Sequence, residues 1–305
     1  MDHIVNPSRI IQRVLLDSRT IQAVADYMTD RTAARLGRIV STPGGELAYA
    51  HYKWSSVGSR KSAREFWKGE IDRVVWNEGL VSSIDQNIGY LRDRRKAWIG
   101  AVLEYLPMGH AMNSTVHLIG GYDSVVFGED VALNLADSRF VEDHREAVYY
   151  LVHELAHAGY FRYRKMPNLA GLGTLRELLD VVKLLTHLEG MGVISPLELR
   201  IREGGLADND YRVLLDRGER KARVREYFEK LGRLESEPDR EIRPSDYRVL
   251  DDFSRRPKRL WYVAGCHIAM RIEERLGTRA LQDMVKKGHM SFFGAYAKIE
   301  DPFSL

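Results

Sequence analysis

The segment EAVYYLVHELAHAGYFRY, residues 146–163, constrains this chain more than any other stretch. Val148, Leu151, Val152, Leu155 and Ala156 recur at helical spacing and predict a largely buried helix over about 143–162. That helix also carries His153, Glu154 and His157. Burying such groups without partners costs several kcal/mol, so they need a reason to be inside. Four residues apart on a helix, the two imidazoles project from one face, one turn apart. This is the spacing that two ligands on one tetrahedral metal require.

The chain's single cysteine, Cys266, excludes an intrachain disulfide and any multi-cysteine zinc ribbon. A metal here is therefore held by His, Asp or Glu. Zinc with three protein ligands and an open fourth position is the expected ion. The third ligand is sought in TLRELLDVVKLLTHLEGMGVI, which reads as an apolar helix over about 174–192, ending at Gly190 and Gly192. Glu189 sits at that end and is the preferred ligand, with His187 as its rival. Glu154, directly after the first histidine, is placed to accept a proton from water at the metal.

Elsewhere the pattern is mostly helical. Asn6-Pro7 signals a helix start, and Ile10, Val14, Ile21, Val24 and Tyr27 continue a long N-terminal helix with a break near Asp17. STPGGEL, 41–47, reads as a turn-rich break, and further helices follow over about 60–106. STVHLIGGYDSVVFGEDVALNLA, 114–136, alternates in places, is cut by glycines, and predicts a small antiparallel sheet. Helices return over about 210–232 and 257–288, with ESEPDREIRPSD between them. The expected fold is α+β and mostly helical: an N-terminal helical subdomain, 1–110, and a domain, 111–305, whose sheet packs on the HELAH helix.

HELAH with a later glutamate ligand resembles the gluzincin branch of zinc metallopeptidases, to which thermolysin-like enzymes belong. HELAH, then LEGMG, then YVAGCHIAMRIEERLG (262–277) is more closely similar to a group of uncharacterised zinc-dependent peptidases with an EG(L/M)(A/G) element. The likeness covers roughly residues 115–290. It implies His153, His157 and Glu189 as Zn2+ ligands and Glu154 as general base in peptide-bond hydrolysis. It further implies that VALNLA, 131–136, pairs with an extended substrate along the cleft. Related enzymes stabilise the oxyanion with a Tyr or His, for which Tyr262 and His267 are the candidates. The thermolysin-like acidic residue four positions after the ligand glutamate is replaced by Val193.

The alternatives are a regulatory metal-binding protein on the same scaffold, without hydrolysis or limited to one partner, and a metal hydrolase of non-peptide amides or esters. Glu154 favours an enzyme, since a structural metal needs no base beside it. With 46 basic and 43 acidic residues, the net charge of +3 argues against nucleic acid or an anionic membrane as the main partner. RDRRK (92–96) and RRPKR (255–259) read as solvated basic runs, and His110, His117 and His144 as structural or surface groups. No apolar run approaches a membrane span and the N-terminus lacks a secretory pattern, so a cytoplasmic protein is expected.

Overall fold

The computed structural model describes residues 13–55, 61–167 and 169–301. Its architecture is α+β and mostly helical, with one small sheet. The chain divides into two compact units: Met1–Gly100 with Gly109–Gly159, and Ala101–Met108 with Tyr160–Leu305. The first unit holds the whole sheet, including its N-terminal strand.

In the first unit, β1 (Arg13–Asp17) precedes α1 (Arg19–Thr29), α2 (Ala33–Val40), α3 (Pro43–Ser55), α4 (Ala63–Asp72), α5 (Glu78–Asp93) and α6 (Arg95–Tyr105). There follow β2 (Asn113–Ile119), β3 (Val125–Phe127), β4 (Asp130–Asn134), α7 (Ser138–Glu142) and α8 (Arg145–Phe161). The last residues of α6 and of α8 are assigned to the second unit.

The sheet runs β1-β2-β4-β3 and is mixed, which corrects the antiparallel expectation. Val14 pairs with Ser114 and Val116 with Val131 in parallel, while only β3 and β4 form an antiparallel hairpin, through Gly128 at φ 69°. Local alternation reveals the hairpin. It does not reveal a parallel pair whose partners lie a hundred residues apart, joined by the long crossover that parallel strands require. For the same reason Arg13–Asp17 is a strand rather than the continuation of a helix. The Asn6-Pro7 helix start lies outside the described residues. The break near Asp17 is where strand gives way to α1.

Pro43-Gly44-Gly45 opens α3 instead of interrupting a helix. Proline suits the first helical turn, and Thr42 Oγ1 accepts the Gly45 N–H at 3.1 Å. A Cβ on Gly44 would fall 2.6 Å from Thr20 Oγ1 and 2.7 Å from the His117 Cβ, so these glycines answer a lack of space.

The second unit holds α9 (Leu175–Glu203), α10 (Asn209–Leu215), α11 (Arg217–Glu235), α12 (Arg248–Ser254), α13 (Leu260–Leu276), α14 (Thr278–Lys287) and α15 (His289–Ile299). Its core centres on α9 and α13, with Val182, Leu188, Val263 and Ile268 buried. α9 does not stop at the glycines as expected: it continues through Gly190, Gly192 and Pro196 for 29 residues. Gly190 meets the Gly265 backbone, so it provides close helix contact rather than a terminus. The expected 257–288 helix is divided at Gly277, whose φ of 80° ends α13.

Candidate metal centre

α8 is anchored at its start by Asp143, whose Oδ1 accepts the Arg145 N–H at 3.0 Å. Its apolar face is fully buried: Val148, Leu151, Val152 and Leu155 are each at most 1% exposed. His157 and Glu154 are also buried. The His153 and His157 rings stand 4.4 Å apart between centroids at 64°, and Glu154 Oε2 lies 3.9 Å from His157 Nδ1. One ligand atom from each of His153, His157 and Glu189 lies within 4.8 Å of the other two. Two imidazoles and a carboxylate are the donor types that zinc takes, so the residues present fit the expected ion.

Glu189 belongs to this cluster although it sits within α9 rather than at its end. His187 is committed elsewhere. Its Nδ1 lies 3.0 Å from the Tyr160 hydroxyl, and its ring stacks on Phe292 at 4.3 Å. Complete burial pushes its pKa down to about 3, which keeps the imidazole neutral.

Tyr262 and His267 diverge, as residues five apart on a helix must. Tyr262 is half-buried beneath the Arg259 guanidinium, whose carbon lies 3.4 Å from the ring centroid. His267 packs edge-on to Tyr296, with its Nε2 3.6 Å from Glu300 Oε2. It lines a cavity of about 430 Å3 with Tyr105, Arg220, Arg271 and Glu273. Burial lowers its pKa to about 4, against the pull of Glu300. None of the three candidate ligands lines that cavity.

The expected pairing of substrate along Val131–Ala136 does not fit the sheet. β4 is an interior strand, bonded to β2 on one side and β3 on the other, and the Asn134 N–H is taken by Ser124 Oγ at 3.1 Å. Of the histidines expected to be structural or surface groups, His117 Nδ1 lies 2.9 Å from Asp17 Oδ2 and His144 Nδ1 lies 2.8 Å from Asn87 Oδ1, while His110 is buried.

Sequence reasoning missed Arg259. It belongs to the basic run RRPKR, yet its side chain is only 22% exposed and its Nε lies 2.7 Å from Asp210 Oδ2. Burial opposes its charge, but Tyr262, Asp210, Glu189 and Asp208 more than offset this and raise its pKa. Nothing in the local pattern separates this arginine from its solvated neighbours.

Comparison with protein-family models, with curated proteins and with solved structures returns no match.

Proposed function

We propose that this chain is a zinc-dependent peptidase of the cytoplasm, with His153, His157 and Glu189 as ligands and Glu154 as general base. The observation that carries the reading is the convergence of these three ligand atoms within 4.8 Å, beside a buried carboxylate. Zinc, when bound, supplies a Lewis acid for the scissile carbonyl and lowers the pKa of water.

The chain's own residues supply the remainder. α8 fixes the two imidazoles one turn apart, and its buried apolar face holds their backbone positions. Glu154 Oε2 accepts the proton of the attacking water and returns it to the leaving amine. A purely structural metal site gives such a carboxylate no task, which favours an enzyme over a regulatory metal-binding protein. Tyr262, on the helix that packs against α9, remains the candidate for holding the oxyanion. Among the described residues no helix is long and apolar enough to cross a membrane.

Elemental analysis of the purified chain tests the ligand set. The expected result is close to one zinc per chain, lost in His157→Ala and in Glu189→Ala. A chain that carries no zinc and takes none up contradicts the reading.

A further inference from the structure

Arg259 is the only non-glycine residue with positive φ among the described residues, at φ 45° and ψ 54°. An L-residue in this left-handed region is strained in a way that glycine is not. Such outliers persist where the surroundings over-determine them, and they concentrate at functional sites.

The surroundings do so here. Arg223 Nη1 donates to the Pro257 carbonyl at 3.0 Å and to the Lys258 carbonyl at 2.9 Å, pinning the backbone just before Arg259. Lys258 is turned outward to Glu226 at 2.7 Å, whereas the Arg259 side chain is turned inward. Its guanidinium carbon lies 3.4 Å from the Tyr262 ring centroid, and its Nε lies beside Asp210. The Asp210 contact is an ion pair at Nε without hydrogen-bond geometry.

A guanidinium is a planar fork of donors matched to a carboxylate, and stacking on an aromatic ring fixes the plane of that fork. Arg259 is thus positioned and charged: Asp210 engages Nε, and the Nη groups are the donors a carboxylate would meet. Glu189 is among the groups whose charge favours the charged guanidinium. The close approach of Gly190 to Gly265 brings the residue after Glu189 against the helix that Arg259 begins.

We propose that Arg259 binds a carboxylate of the peptide substrate next to Glu189. This rests on the reading of the site as a zinc peptidase. The carboxylate belongs either to an Asp or Glu side chain or to the peptide's C-terminus, and the two sources share one chemistry.

The test measures binding, so that it does not depend on turnover. Full-length Glu154→Gln protein is titrated calorimetrically, with zinc and without it. The probes are alanine hexapeptides blocked at both ends and carrying one Glu, the Gln counterparts, and the all-alanine peptide blocked at its N-terminus with a free C-terminus. The expectation is at least about tenfold tighter binding of one carboxylate-bearing class, a difference of about 1.4 kcal/mol. That preference disappears in Arg259→Gly, whose backbone accepts the left-handed conformation, and is reduced in Arg259→Lys, which keeps the charge without the fork. Equal binding of Glu, Gln and free-acid probes overturns the proposal, as does a preference that survives Arg259→Gly. If the glycine variant loses zinc, the lysine variant decides on the same criterion. Failure of native protein to take up zinc or to hydrolyse any peptide counts against the peptidase reading, while the metal-free titration still scores Arg259.

Discussion

Gly190 and Gly265 meet backbone to backbone: a Cβ on Gly190 would stand 2.7 Å from the Gly265 Cα, and one on Gly265 would stand 2.8 Å from the Gly190 Cα. The contact sets the approach of α9 to α13 immediately beside Glu189. A single methyl group must push the two helices apart, since no flexible side chain is available to yield. Gly190→Ala should cost about 3 kcal/mol in urea denaturation, at the upper end of overpacking effects. Zinc affinity should fall with it. A variant as stable as native would show that the crossing is looser than this.

Each candidate ligand should matter to the metal, but unequally to the fold. His153→Ala, His157→Ala and Glu189→Gln should lose zinc retention under dialysis against a chelator, and Glu154→Gln should retain it. Native protein should melt at a lower temperature once its zinc is removed, because a ligand bound only by the folded state stabilises it. His187→Gln should keep zinc, since its ring serves Tyr160 and Phe292.

The pH dependence of stability should carry the signature of His267. Its folded pKa of about 4 lies below the ordinary value of 6.5, so between these limits the unfolded chain binds the proton and the folded chain does not. Stability contributed by this neutral, buried imidazole is therefore present above pH 6.5 and is lost as the pH falls toward 4. Over that window, denaturation should show native protein losing stability faster than His267→Gln. Parallel pH profiles would contradict the placement of this histidine.

Cys266 is fully buried, and burial pushes its thiol pKa well above the ordinary range. Iodoacetamide should leave native protein unmodified over hours and label one site per chain in denaturant. Rapid labelling under native conditions would mean that α13 is exposed.

The helix α8 and the shared face of its two histidines are legible because their signal is local. His153, Glu154 and His157 lie within one helical turn and a half, on a segment whose apolar period is plain. Glu189 stands out by composition, as an acid in an apolar helix, but not by lying at a helix end. Gly190 and Gly192 mark where α9 approaches α13, not where α9 ends. What the sequence concealed was non-local. β1 depends on partners such as Asn113 and Ser114, so its five residues look no different from a helical fragment. Arg259 depends on Asp210 and on a backbone conformation that residue type alone does not announce.

The central claim is that Glu154 is the base of a zinc-dependent hydrolytic site. It is tested most directly by following a mixed peptide library by mass spectrometry with native and Glu154→Gln protein, both loaded with zinc and matched for zinc content. The expected result is cleavage by native protein, abolished by chelator, and a loss of at least about a hundredfold in the variant, the lower end of the range for removal of a general base. A variant that keeps its zinc and cleaves as fast as native would contradict it.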